Sequence, residues 1–258
     1  MTASVVASPG GRVADAVAAL PAHVKLVGAL GFVLGVVATP REAVVVLVVD
    51  GMVVAVVAGL VGLTASTVAR RLLVEVPFVA FAVLLPFVAQ GPQVDVGPMS
   101  LSVDGLWAAW GILAKATLGV AVAVVLAATT PVADLLAGAR RLHVPVVLTA
   151  IAGFMVRYGQ VLVDELERLR IARVSRGDDP RWLWQVRAVA ATAGTLFVRS
   201  FERGERVHLA MSARGFDGTW PTLRPQTARP GEWAAVVAFA AFAVVGAIVA
   251  LSGLGGWA

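Results

Sequence analysis

Ala43–Leu63 reads AVVVLVVDGMVVAVVAGLVGL, twenty-one positions with one charge, Asp50. A helix crossing a bilayer needs about 20 apolar residues, and this segment is that length with almost nothing else in it. Similar stretches lie to either side, at about 24–38, 74–90 and 106–128, and a last one closes the chain at about 233–252. The first is short and has to borrow residues from its flanks. The third holds Pro77 and Pro86, so a kink is expected there. Over the full 258 residues, 59% are hydrophobic and only 14% charged, and mean hydropathy is +0.87. A soluble globule of this size has too much surface to hide that surplus. The chain is therefore an all-α polytopic membrane protein in contact with the lipid bilayer, with about five spans.

The composition also excludes several chemistries. Cysteine is absent, which removes disulfides, Fe–S clusters and thiolate zinc sites. The three histidines, His23, His143 and His208, are too scattered to read as metal ligands, so no metal site and no cofactor are expected. His208 reads as a helix-face residue. Only Lys25 and Lys115 are lysines, and neither follows a glycine, so a G-x-x-x-x-G-K-[ST] phosphate loop is impossible. If ATP drives this protein, another chain binds it. No Ser/His/Asp set or carboxylate pair stands out, and no enzyme activity is expected of the chain. A net charge of +5 points to membrane topology, with no nucleic-acid partner.

Charge is distributed unevenly. Residues 164–232 carry 12 of the 21 basic residues, all arginine, and 9 of the 16 acidic ones. The expected organisation is a cytosolic N-terminal tail (1–23), a four-helix transmembrane region (24–128), a cytosolic or interfacial domain of two or three long helices (129–232) and a final transmembrane helix (233–258). The tail lacks a signal peptide's apolar core and cleavage site. The turn-rich segment 91–105 carries no basic residue, whereas Arg70-Arg71 and Arg140-Arg141 fall on one side if the first four stretches each span once. That side is the cytosol, which puts the N-terminus inside and the C-terminus outside a plasma-membrane protein. Arg41 is the exception. Val144–Val163 could pass for a span, but crossing would carry the arginine-dense domain outside. It reads instead as an interfacial helix.

Within the charged domain a six-residue pattern, A-x-x-[small]-R-G, occurs twice: Ala172-Arg173-Val174-Ser175-Arg176-Gly177 and Ala210-Met211-Ser212-Ala213-Arg214-Gly215. Each copy ends a helical run supported by intrahelical charge pairs, Asp164 with Arg168 and Glu202 with Arg206. Gly177 and Gly215 stand where a C-terminal glycine cap belongs, and Asp179-Pro180 then restarts a helix. An arginine at a helix C-terminus is favoured by the dipole, and its planar fork can take a carboxylate by two parallel hydrogen bonds. Ala172 and Ala210, one turn back, leave clearance for an approaching surface. The same residues would also serve as a plain helix stop.

In order along the chain, Leu142-His143-Val144-Pro145, Arg157-Tyr158, Glu165, Ser175-Arg176-Gly177, Ser200-Phe201-Glu202-Arg203 and Ala210–Gly215 resemble the transmembrane T component of energy-coupling-factor transporters. The match is densest from about 140 to 220. Leu20–Leu26 and Arg214-Gly215-Phe216-Asp217-Gly218 look most like its cobalt branch. The resemblance implies that Ser175-Arg176-Gly177 and Ala213-Arg214-Gly215 are tips of long coupling helices, each docking on one of two cytosolic ABC ATPase subunits. It further implies a membrane-embedded S component that binds the substrate, cobalt or another transition metal or a vitamin. The rival readings are a self-contained secondary transporter or channel and a membrane-embedded enzyme. Asp50 and Lys115, the charges deepest in the spans, are candidates for an intramembrane ion pair, or Asp50-Gly51 marks a helix break. Gly31-x-x-x-Gly35 permits close helix packing, expected within the chain.

Overall fold

Lipid tails are as apolar as leucine, so helices in a bilayer are brought together by small residues that let backbones approach. The computed structural model, which describes residues 12–96, 99–177, 186–216, 218 and 228–253, follows that rule. Its elements are α1 (Arg12–Ala19), α2 (Ala22–Ala38), α3 (Val44–Leu60), α4 (Ala65–Leu72), a 3-10 turn (Leu73–Glu75) and α5 (Val76–Val88). A short antiparallel hairpin, β1 (Gln93–Val96) with β2 (Met99–Ser102), precedes α6 (Val103–Thr129). Then come α7 (Val132–Arg141), α8 (Val146–Val174), α9 (Val186–Ser212) and α10 (Pro230–Leu251). These form two compact units, Met1–Gly138 with Pro225–Ala258, and Ala139–Arg224.

The first unit is built on α2 and α10. Gly28 faces the Val236 side chain, a Cβ on Gly31 would stand 2.9 Å from that of Ala240, and one on Gly35 would meet the Ala243 backbone at 2.7 Å. Both series rise together, so the helices are parallel. Phe32 stacks on Phe239 between them with ring centroids 4.5 Å apart. The Gly31/Gly35 pair thus packs within the chain. α6 runs antiparallel to α2: Lys25 Nζ donates to the Thr129 carbonyl (3.1 Å) and Lys115 Nζ to the Val37 carbonyl (2.9 Å). α5 is antiparallel to α6, with Gly105 tight against Leu85 and Pro86 and Thr117 donating to Glu75 at 2.9 Å. α3 is parallel to α6, placing Gly51 beside Leu118 and Val54 in one cluster with Leu118 and Val122. Large apolar side chains such as Leu34, Met52, Phe78, Phe81 and Leu84 point outward, as lipid-facing residues do.

Each end of this unit is finished by polar contacts. At one, Arg41 bonds Glu42 (2.8 Å), reaches Asp104 at 4.0 Å and lies over Gly111. The Arg41 hydrogen bond holds the Glu42 carboxyl below the usual range. At the other, Lys25 also donates to the Ala18 carbonyl (3.0 Å) and to Thr130 Oγ1 (3.2 Å). His23 lies 5.8 Å from Trp233, and Gly138 of α7 presses on the Ala22–His23 backbone. Lys25 thus ties the C-terminal ends of α1 and α6, where carbonyls lack helical partners and the dipole favours a cation.

Several boundaries differ from those read in the sequence. Helix begins at Ala65, so Arg70 and Arg71 occupy the last turn of α4 rather than a loop; the expected break falls at the 3-10 turn just before Pro77. Segment 91–105 contains the hairpin and the start of α6. Residues 12–19 of the N-terminal tail are helical. Four helical runs are long and apolar enough to cross a membrane: Ala65–Val88, Val103–Thr129, Val146–Val174 and Pro230–Leu251. α2 and α3 are apolar but 17 residues each, about 25 Å at 1.5 Å per residue.

Gly35→Leu should destabilise the first unit by roughly 1–3 kcal/mol, because the new Cβ meets backbone that has no rotamer to move. Gly119→Ala, with open space around it, should be neutral or stabilising by up to about 1 kcal/mol. Thermal midpoints of the two variants in detergent would check both; equal midpoints would contradict the proposed seating of α2 on α10.

Candidate functional site

The second unit consists of the end of α7 and the two long helices α8 and α9. α7 is closed by the Val144 amide donating back to the Ala139 carbonyl at 3.1 Å, with His143 in the left-handed region at φ 64°. That six-to-one closure usually takes glycine, and histidine is among the side chains that tolerate it. Pro145 then sets the start of α8. Sequence analysis divides this region into an apolar helix to Val163 and a charged one from Asp164. In the structure they are a single 29-residue helix, because no proline interrupts it and one helical register carries both halves.

The two copies of the six-residue pattern end in the same backbone arrangement. At the first, the Ser175 amide donates to Ile171 (2.9 Å), Arg176 to Arg173 (2.9 Å) and Gly177 to Val174 (3.0 Å). At the second, Ala213 donates to Leu209 (2.9 Å), Arg214 to Met211 (3.0 Å) and Gly215 to Ser212 (3.0 Å). Each helix tightens from i−4 to i−3 bonding over its last turn, and the glycine following the arginine is left-handed, φ 85° at Gly177 and 77° at Gly215. Phe216 then bonds back to Met211 at 3.0 Å, completing the six-to-one closure there. Arg176 and Arg214 are exposed, as are Ala172 and Ala210 one turn below. Neither guanidinium has an ion-pair partner among the described residues. Each is an exposed planar cation with small residues beneath it, suited to bidentate capture of a carboxylate. The restart at Asp179-Pro180 lies outside the described residues, as does Asp217.

Two expected charge pairs are corrected. Arg168 bonds Glu165 through Nη2 (2.7 Å) and Nε (3.2 Å), not Asp164. Asp50 and Lys115 do not pair: Lys115 Nζ is taken by the Val37 carbonyl at the end of α2, while both Asp50 oxygens are buried with no hydrogen-bond partner among the described residues. The Lys115 stem reaches that uncapped carbonyl from one turn of α6, so the cation is used at a helix terminus instead. Glu202 and Arg206 do form their i,i+4 pair at 3.9 Å.

Sequence reasoning missed the contact that joins α8 to α9. Arg199 Nη1 donates to Glu165 Oε1 at 2.5 Å, so one carboxylate takes a guanidinium from each helix. Beyond this pair the helices flank a groove of about 400 Å³ lined by Phe154, Tyr158 and Leu162 on α8 and by Arg203, Val207 and Met211 on α9, with Phe216 at its end. From Glu165–Arg199 the lining recedes backwards along α8 and forwards along α9, so the helices run antiparallel and their tips lie at opposite ends of the pair. The spacing of Glu165 and Arg199, 34 residues apart, carries no local signal; only the tertiary fold joins them.

A family model described as cobalt transport protein (CbiQ) matches residues 16–227. The chain is 32% identical over 156 residues to the cobalt transport protein CbiQ of Rhodobacter capsulatus, covering 58% of this chain and 64% of that one. It is 34% identical over 100 residues to the uncharacterized protein MJ1089 of Methanocaldococcus jannaschii, covering 39% and 37%. It is 28% identical over 136 residues to the energy-coupling factor transporter transmembrane protein EcfT of Listeria innocua, covering 48% and 51%. The matched part thus spans between about a third and two-thirds of the length of these curated relatives.

Gly177→Val or Gly215→Val should cost about 1–2 kcal/mol in the last helical turn, since a branched side chain is strained at positive φ. Hydrogen exchange of the amides at 173–177 or 211–216 would read this as faster opening of the affected tip. Gly204→Ala, inside α9 with no neighbour near its Cβ, should leave both tips unchanged.

Proposed function

The chain belongs to the CbiQ cobalt transport protein family, and on that footing we propose that it is the transmembrane coupling subunit of an energy-coupling-factor importer for cobalt or a related cargo. The observation that carries this is the pair of matched tips. Two helices end in exposed arginines, without an ion-pair partner among the described residues, on the same backbone hook, and one chain offers them at opposite ends of an antiparallel pair. Such an arrangement suits a partner presenting two acidic sockets. In this reading each tip, Ser175-Arg176-Gly177 and Ala213-Arg214-Gly215, is held by one of two ABC ATPase subunits. ATP hydrolysis belongs to those subunits, and cargo binding to a membrane-embedded S component. Movement of the tips passes along α8 and α9 to that S component.

The geometry of the first unit supports a five-span topology. α2 lies alongside α10 from Gly28 to Gly35 and α3 alongside α6, so both 17-residue helices share the depth of helices long enough to cross. α6 finishes, and α10 begins, at the end marked by Lys25, His23 and Trp233. The chain between them therefore crosses the membrane an even number of times. Among its described helices only α8 is apolar enough to cross, and a single crossing would strand α10 on the wrong side. α8 accordingly lies at the interface, and its charged half and α9 are cytosolic. α4, ending in Arg70-Arg71, and α7, ending in Arg140-Arg141, set off from the same end, as the positive-inside bias requires. The N-terminus is then inside and the C-terminus outside.

Reversing one tip's charge by Arg176→Glu or Arg214→Glu should weaken co-purification with co-expressed ABC ATPase subunits, and the double variant should abolish it. Each lost charged hydrogen-bonded contact costs roughly 1.5–3 kcal/mol, or about ten- to a hundredfold in affinity. Undiminished ATPase binding by the double variant would refute the coupling role.

A further inference from the structure

We propose that Glu165 is the positioning residue that fixes the two tips relative to each other, by clamping α8 to α9 through Arg199. The inference rests on the coupling role proposed above, but its core is a property of this chain alone. Glu165 is the one carboxylate among the described residues that takes guanidinium groups from both helices, Arg168 from its own turn and Arg199 from the other helix. Its side chain is 14% exposed, whereas those of Arg168 and Arg199 are more than half exposed, so the shared acceptor sits between the helices and the donors reach in from outside. On one side of this contact the two helices flank the groove, and on the other Thr192 of α9 is buried. The ion pair therefore pins the helices at the end of the groove.

That placement gives the clamp leverage. Arg176 stands eleven residues beyond Glu165 and Arg214 fifteen beyond Arg199, arms of about 16 and 22 Å at 1.5 Å per residue. A small change of angle at the clamp is enlarged at both tips. Arg168 has a different part: it pre-orients the carboxylate within α8 without touching α9. Removing Arg168 keeps the interhelical bond, whereas removing Arg199 breaks it with the Glu165–Arg168 pair intact.

The absence of cysteine allows a direct measurement. Spin labels placed by Ser175→Cys and Ala213→Cys in the full chain, held in lipid nanodiscs, report the distance between the tips. One narrow distribution is expected for the parent, and its loss, with a broad and shifted profile, for Glu165→Gln and for Arg199→Gln. Arg199→Lys, which keeps a donor and the charge, and Arg168→Gln should retain the narrow distribution. Should Glu165→Gln fold poorly, Arg199→Gln tests the same bond from the other helix. An unchanged distribution in Arg199→Gln, or equal broadening in Arg168→Gln, overturns the proposal. Because labels read the chain without ATPases, this result is separable from the co-purification test. In the assembled transporter the same Arg199→Gln variant should keep its ATPase subunits and lose ATP-driven uptake.

Discussion

The seating of α10 on α2 is the constraint from which the rest of the architecture follows. Three glycines in α2 remove the side chains that would hold the two backbones apart, and Val236, Ala240 and Ala243 fill the space. Because the contact is parallel and in register, α10 has to enter beside the start of α2. That is also where α6 finishes, under Lys25. The hundred residues between them leave and return at one end of the bundle. Composition reflects this: arginine and carboxylates crowd into that excursion, and valine and alanine fill the helices around it.

The excursion uses a different kind of cohesion. In the first unit contacts are close and apolar, with each polar group at a helix end answered by another, as at Arg41–Glu42–Asp104 and Lys25–Thr129–Thr130. In the second, two long helices share one carboxylate between them and flank an open groove beside it. Asp50 fits neither pattern: it is buried in α3 with no hydrogen-bond partner among the described residues, and the structure gives no physical account of it.

Much of this was legible in the sequence, for reasons that differ between regions. The apolar helices α3, α6 and α10 announce themselves because bilayer thickness sets a minimum run of uncharged residues. The tips are visible because a left-handed position after a helix favours glycine, and Arg-Gly twice in one charged domain is a local signal. The family resemblance rests on the same local patterns, and the family match covers the region that carries them. What stayed hidden is long-range. Glu165 has Arg168 within reach on its own helix, and nothing nearby in sequence indicates that Arg199 joins them. Asp50 and Lys115 looked like partners because both are charges in apolar runs; helix packing instead gives Lys115 the free carbonyl at Val37. The hairpin at 93–102 has strands of four residues, one on each side of Gly97-Pro98, too short for their alternation to stand out.

The two hooks share one hydrogen-bonding pattern although they belong to a chain with no symmetry of its own. In the coupling role proposed above, a receptacle shaped for the backbone of one hook would fit that of the other, so a single kind of ATPase subunit, used twice, would serve both.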